Sequence, residues 1–281
     1  MTIKMFSMFS GIGGFELAAK SIDKDIELIG YSEIDKYAIE VFNRHFLGVK
    51  NYGDATRIDT RELPDGFDLL VGGFPCQAFS ISGRRRGFDD TRGTLFFDIA
   101  RICSEKRPQY LVLENVKGLL SHNKGKTFQT ILGVLSSLGY RIEWQVLNSK
   151  NFGVPQNRER VFIVGHPGGG SSRKIFPLTG ANPESSLITG EDISYALDAN
   201  YYKGTNTLSK SRRQLHMDQS RIRRLTPTEC ERLQGFPDGW TKGLSDTQRY
   251  KTLGNAVTTT VVKEIFNKLQ PSTLNDYFGS C

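Results

Sequence analysis

IKMFSMFSGIGGFELAAKSIDKDIELIGYSE, residues 3–33, decides the fold. An apolar run over 3–9, suited to a buried strand, breaks into Gly11, Gly13 and Gly14. Helical spacing follows over 15–21, then a second apolar run over 26–31. Strand, glycine turn, helix and strand in that order begin a parallel sheet flanked by helices. Glycines at a helix amino terminus let the backbone approach a ligand closely. Glu33 lies 19 residues beyond Gly14, at the end of the second strand, where an acid accepts hydrogen bonds from ribose hydroxyls. Glu16 stands where a dinucleotide fingerprint requires a third glycine. The pattern therefore favours an adenosine-type nucleoside without demanding a pyrophosphate.

Outward from this stretch the alternation continues. Further strands are predicted at 67–71, 110–113, 141–147 and 161–164, and helices at 36–46, 95–105 and 127–138. The fold class expected is α/β, a Rossmann-like, mostly parallel sheet with flanking helices. From 167 to about 222 the chain is rich in Gly, Ser, Asn and Pro and reads as a smaller, irregular unit. Regular patterning resumes with a capped helix at 226–233, Pro227 in its first position, and ends with a helical span at 257–269 that packs back on the first unit. Unusual residues follow the apolar runs: the glycines, Glu33, Pro75 and Cys76, then Glu114 and Asn115. In open parallel sheets ligands bind at the carboxyl ends of strands, so these residues should share one rim.

Composition narrows the function classes. The chain has 281 residues, 38% hydrophobic and 24% charged, a globular balance. No apolar run approaches the roughly 20 residues of a membrane helix, and the amino terminus lacks a signal-peptide layout; both point to the cytoplasm. The four cysteines are Cys76, Cys103, Cys230 and Cys281, without CxxC spacing or a nearby histidine, so neither a zinc site nor a disulfide scaffold is expected, and no metal. Net charge is +7. Lys203, Lys210, Arg212, Arg213, Arg221, Arg223 and Arg224 face a single acid, Asp218, over 203–224. That run is either a solvated basic loop or a phosphate-contacting surface.

Three segments carry candidate chemistry. In GGFPCQAFS, residues 72–80, Cys76 sits in a loop after a proline, beside Gln77 and close to Arg84, Arg85 and Arg86, a positive setting that favours the thiolate. Glu114 ends an apolar strand, where a carboxyl can act as an acid toward a substrate nitrogen or be an exposed turn acid. QNRER, residues 156–160, would bring Arg158 and Arg160 to the same rim, or form a salt-bridged turn.

Together these motifs resemble the DNA cytosine-5 methyltransferases of bacterial restriction–modification systems. The resemblance covers nearly the whole chain and keeps the family's motif order: 9–14, Glu33, Asp54, Pro75-Cys76, Glu114-Asn115-Val116, 156–160, then RLTP at 224–227, QGFP at 234–237 and GNAV at 254–257. It implies S-adenosyl-L-methionine as cofactor, with S-adenosyl-L-homocysteine as product, and double-stranded DNA as partner. Phe9, Gly11, Gly13 and Gly14 would cradle the cofactor, Phe9 stacking on adenine. Glu33 would hold the ribose and Asp54 the adenine amino group, with Pro75, Leu95, Asn255 and Val257 completing the pocket. Catalysis would fall to Cys76 as nucleophile and Glu114 at ring nitrogen 3, with Arg160 at the ring oxygen and Arg158 supporting the loop. Ser82 would enter the space vacated by a flipped cytosine, and Arg84, Arg85 and Arg86 would hold phosphates.

The division implied is 1–167 for the catalytic unit, 168–249 for target recognition and hinge, and 250–281 for a segment returning to the catalytic unit. Base-edge and phosphate readers are expected among Tyr201, Tyr202, Lys203, Arg212 and Arg213. A monomer and a possible cognate endonuclease complete the picture. An RNA methyltransferase of this chemistry is the first alternative, but those relatives carry Pro-Pro-Cys and Cys-Phe-Thr, and here the loop is Phe74-Pro75-Cys76 with no Cys-Phe-Thr. A catalytically silent DNA-binding relative should lack the thiol, the acid or the glycine loop, yet all three are present. A nicotinamide oxidoreductase explains neither Cys76 nor the basic run.

Overall fold

The structure, a computed structural model, describes residues 2–75, 95–167, 174–180, 194–201, 215–218 and 221–269. Strand β1 (Ile3–Met8) leads into α1 (Gly14–Lys20), β2 (Ile26–Ser32), α2 (Lys36–His45), β3 (Leu69–Gly73), α3 (Leu95–Lys106), β4 (Tyr110–Val116), α4 (Lys126–Ser137) and β5 (Tyr140–Asn148). Two-residue β6 (Gln156–Asn157) precedes β7 (Glu159–Pro167). β8 (Ser194–Tyr195), β9 (Leu215–Asp218) and β10 (Arg221–Arg224) are short, and α5 (Pro227–Leu233), α6 (Asp246–Asn255) and α7 (Thr259–Lys268) follow.

The main sheet has six strands in the order β2-β1-β3-β4-β7-β5. β2, β1, β3 and β4 pair in parallel, whereas β7 runs antiparallel to both β4 and β5. Successive side chains of a strand face opposite sides, and the apolar strands accordingly feed two cores. Met5, Leu69, Val71 and Val112 lie with α1 and α7; Phe6, Met8, Leu70, Leu111 and Leu113 lie with α3 and α4. A third core joins distant parts of the chain: Ile12, Tyr31, Phe42 and Phe46 pack with Leu197, Tyr201, Leu233, Phe236, Trp240 and Leu253.

Local signals fixed most boundaries. Asp35 caps α2 by accepting from Tyr37 N and Ala38 N, and Thr226 with Glu229 forms a reciprocal capping box ahead of Pro227. Two differences from the sequence reading stand out. The terminal helix begins at Thr259, not 257, because Ala256, Val257 and Thr258 are extended or non-helical where they cross the glycine loop. Helix α6 went unanticipated, since only Tyr250 and Leu253 supply it with buried large apolar side chains. Tertiary partners hold it instead, among them Tyr250 Oη donating to Leu225 O at 2.7 Å. Among the described residues, no helix is long and apolar enough to cross a membrane.

Glu16, in the first turn of α1, is 1% exposed, and among the described residues neither carboxyl oxygen has a hydrogen-bond partner at full bonding geometry. Burial pushes its pKa up to about 7; the nearby Ser7 hydroxyl offsets part of the rise and the Glu33 charge adds to it. Because the folded pKa lies above the ordinary value of 4.5, this group favours folding most at low pH. That stability is lost as pH rises from about 4.5 through 7, in total about 3 kcal/mol. Unfolding titrations of wild type and Glu16→Gln at pH 5 and 8 should therefore diverge, with the wild type losing more; parallel pH slopes would refute a charged burial at this position.

Candidate active site

The carboxyl ends of β1 and β2 meet through backbone bonds. Glu33 Oε2 accepts from Gly11 N at 2.9 Å, and Oε1 accepts from Ile34 N and Asp35 N at 2.8 Å each. Asn51, which the sequence reading passed over, clips the neighbouring segment to this point: its side chain accepts from Glu33 N and Gly53 N and donates to Glu33 O. Ser32 Oγ donates to Gly53 O at 2.6 Å. Gly11, Glu33 and Gly53-Asp54 are thereby brought to one edge. Asp54 caps a short 3-10 helix through Thr56 N and Thr56 Oγ1, which with the nearby Arg57 charge lowers its pKa.

This edge fits an adenosine moiety. A Cβ at Gly11 or Gly53, both at positive φ, would meet nothing within 4 Å among the described residues, leaving room for a ligand to approach the backbone. Phe9 adopts φ 54°, a strained conformation for a side-chain-bearing residue, as the chain leaves β1. Ile34 is 72% exposed beside the Glu33 carboxylate, an apolar surface at the same edge. Its signal in the sequence was one hydrophobe between two acids, too little to single it out. Gly13 and Gly14 answer to a different demand. A Cβ at Gly13 would lie 2.4 Å from Phe46, and one at Gly14 2.6 Å from Val257 Cγ1. These two glycines make room for packing partners behind the loop.

At the next two strand ends the candidate catalytic groups come together. Gly73 on β3 pairs with Glu114 on β4, and Glu114 pairs with Phe162 on β7. Arg160, at the start of antiparallel β7, places Nε 3.0 Å from Glu114 Oε1, and both side chains are largely buried. Asn115 Nδ2 donates to Phe74 O at 2.8 Å, fixing the chain just before exposed Pro75. Leu95 opens α3, half-buried.

Arg158 takes a different part from Arg160. It is 3% exposed and donates to Leu197 O, Gly254 O and Ala256 O, tying β7's approach to the 194–201 segment and the α6 terminus. Burial and the Arg160 charge bring its pKa down to about 9, so it stays protonated at neutral pH. Its guanidinium is enclosed among these carbonyls, whereas the sequence had grouped it with Arg160 among the catalytic residues. Gln156 and Gln234 extend the junction: Gln156 bonds Leu197 N and Leu233 O, and Gln234 bonds Leu253 O and Thr258 Oγ1. At Gly254 a Cβ would fall 2.2 Å from Asp198 C, so only glycine lets the two backbones cross. Val257 packs on Gly14, and Asn255 is exposed at the end of α6.

Tyr201 also requires correction. Rather than facing DNA, it is 3% exposed, its ring lies 5.3 Å from Tyr250 and its hydroxyl accepts from Leu225 N. Packing on Tyr250 and the bond to Leu225 N hold the side chain inside the fold. Cys103 and Cys230 are buried with thiols pushed up to about 12, the inert form. Cys76, Ser82, Arg84, Arg85, Arg86, Tyr202, Lys203, Arg212 and Arg213 lie outside the described residues.

Comparison with known proteins assigns this arrangement to a family. The model for C-5 cytosine-specific DNA methylases matches residues 3–178 and 178–271. The Type II methyltransferase M1.ScrFI of Lactococcus lactis subsp. cremoris is 39% identical over 95% of this chain and 77% of its own length. Type II methyltransferase M.NlaX of Neisseria lactamica is 36% identical over 95% of this chain and 96% of its own. Among solved structures, the S. pombe Dnmt2 methyltransferase superposes with a TM-score of 0.72 at 17% identity, over 94% of this chain and 97% of that one, a likeness of fold. A glycine edge at the ends of β1 and β2, an acid–arginine pair beyond β3 on β4 and β7, and sequence identity extending through both halves of the chain agree, and the protein belongs to the C-5 cytosine-specific DNA methylases, S-adenosyl-L-methionine-dependent enzymes that methylate DNA.

Proposed function

We propose that Cys76 is the nucleophile of this methyltransferase, adding to carbon 6 of a cytosine extruded from the duplex, while Glu114 serves ring nitrogen 3 and Arg160 the ring oxygen. The observation that supports the reading most is the Glu114–Arg160 pair at 3.0 Å, standing beside Gly73, from which Phe74 and Pro75 lead directly to Cys76. Carbon 5 of cytosine is a poor nucleophile. When the thiolate bonds to carbon 6, the electron pair of the 5,6 double bond is displaced into the ring toward nitrogen 3. Glu114 hydrogen-bonds or protonates that nitrogen as charge gathers, and Arg160 steadies the oxygen. Carbon 5 is thereby made electron-rich. S-adenosyl-L-methionine, when bound, supplies the methyl group as an electrophile on a sulfonium. Loss of the carbon 5 proton then restores the double bond and expels the Cys76 thiolate.

Phe9, Gly11, Glu33 and Asp54 would hold the adenosine portion, with Ile34 as a further apolar wall; Gly13 and Gly14 would let the loop seat against Phe46 and Val257 behind it, and Pro75, Leu95, Asn255 and Val257 would close the pocket. Extrusion of the base costs a few kcal/mol. Ser82 would fill the vacated stack, and Arg84, Arg85 and Arg86 would hold flanking phosphates, contacts that position without reading sequence. Target choice belongs to the 168–222 span within the 168–249 recognition unit, through Tyr202, Lys203, Arg212 and Arg213. The unit framed by 1–167 and the returning 250–281 does the chemistry. A monomer acting on nucleoid DNA in the cytoplasm, with or without an endonuclease of the same specificity, completes the proposal.

Bisulfite sequencing of plasmid DNA from cells expressing the protein tests it. Protected cytosines should fall at one short, recurrent sequence. Protection at no site, or scattered without a common sequence, would overturn the reading.

A further inference from the structure

The glycine loop is gripped from both sides. On its open side the Gly11 N–H is held by Glu33. On its inner side the indole N–H of Trp240 donates to the Ile12 carbonyl at 2.9 Å, a buried hydrogen bond that spans 228 positions in the chain. Trp240 is 8% exposed and cannot readily turn away. His45 stacks on its ring, centroids 3.5 Å apart and 5° from parallel, while the His45 Nε2–H donates to the Trp240 carbonyl at 2.9 Å. Phe46 and Phe236 meet the same indole at 6.1 and 5.4 Å between centroids. The backbone on either side is fixed as well: the fully buried Glu231 carboxylate accepts from Gly239 N at 2.7 Å and Thr241 N at 2.8 Å. Arg249, 3.0 Å from Glu231, balances its charge.

The tryptophan is therefore a rigid strut between the 231–241 segment, which follows the 168–222 span, and the turn that presents the cofactor edge. A carbonyl in a glycine-rich turn is easily reoriented, because glycine leaves neighbouring peptides free to rotate. Holding Ile12 O on the inner side keeps that peptide out of the open side. From this geometry we infer that Trp240 is a positioning residue for cofactor binding, acting through its N–H on the shape of the glycine loop. The inference rests on that loop being the cofactor edge.

The chain has two tryptophans, and the other, Trp144, is 45% exposed on β5 at the far edge of the sheet. In a Trp144→Phe background, Trp240 is the sole indole, and biosynthetic replacement of tryptophan by benzothienylalanine exchanges its N–H for sulfur while keeping the ring and its stacking. Titration calorimetry with S-adenosyl-L-homocysteine should show affinity about fivefold to tenfold weaker in the sulfur analogue than in the Trp144→Phe parent, the usual worth of one hydrogen bond. The DNA dissociation constant and kcat at saturating cofactor should stay within about twofold, leaving the loss in the cofactor KM. Trp240→Phe should show the same split with a larger cofactor defect.

Equal cofactor affinity in parent and analogue would overturn the inference, as would matched losses in kcat and DNA binding, which mark a merely structural residue. Failure of the wild type itself to bind S-adenosyl-L-homocysteine would instead overturn the cofactor assignment of the loop.

Discussion

Cys76→Ser is expected to lower turnover by on the order of 10⁴-fold or more, with the DNA dissociation constant within about threefold of wild type. A serine hydroxyl is far less acidic than a thiol and a weaker nucleophile, so addition to carbon 6 stalls while phosphate contacts persist. Neither thiol among the described residues can substitute, because Cys103 and Cys230 are buried and their ionisation is strongly disfavoured. A duplex with 5-fluorocytosine at the target isolates the same step. Fluorine on carbon 5 cannot leave as the proton does, so the wild type should accumulate an adduct that survives denaturing electrophoresis. An adduct of equal yield in Cys76→Ser, or turnover within tenfold of wild type, would show that another residue is the nucleophile.

Glu114→Gln should reduce kcat by about 10²- to 10⁴-fold, the range for loss of a positioned acid or base. The variant keeps the shape of the side chain but gives up the ionisable carboxyl that faces Arg160 at 3.0 Å. Adduct formation with 5-fluorocytosine should slow in proportion, since nitrogen 3 is served before methyl transfer. S-adenosyl-L-homocysteine affinity should hold within about twofold, because the glycine edge makes its contacts through Glu33 and Asn51. A kcat within tenfold of wild type, measured at saturating cofactor and DNA, would remove Glu114 from the chemistry and leave it as Arg160's structural partner.

Much of the site was legible because its signals are local. Gly11 and Glu33 announced themselves by falling after apolar strands, and the hydrogen bond between them is the direct result of two parallel strands ending side by side. Thr226 and Pro227 marked a helix start, and the helix begins there; the reciprocal bond with Glu229 came from the structure. Arg158 and Arg160, separated by one residue, were indistinguishable in sequence. Only the sheet showed that one pairs with Glu114 and the other is enclosed among carbonyls of 197, 254 and 256. Tyr201 failed for the same reason: an aromatic in a polar stretch reads as a DNA contact until a distant Tyr250 covers it.

By itself the amino-acid order determined where the six long strands and the glycine turn lie, and that Gly11, Glu33 and Glu114 fall at strand ends. Those are properties of alternation, chain stiffness and capping, all settled within a few residues. The direction of β7 was decided only by the tertiary structure, since side-chain alternation is the same whichever way a strand runs. Had β7 been parallel, Arg160 would sit at the opposite rim from Glu114; running antiparallel, its first residues join the carboxyl ends of its neighbours. The grip of Trp240 on Ile12 likewise exists only in three dimensions, because 228 positions of chain separate the two groups and packing of the third core alone closes the distance.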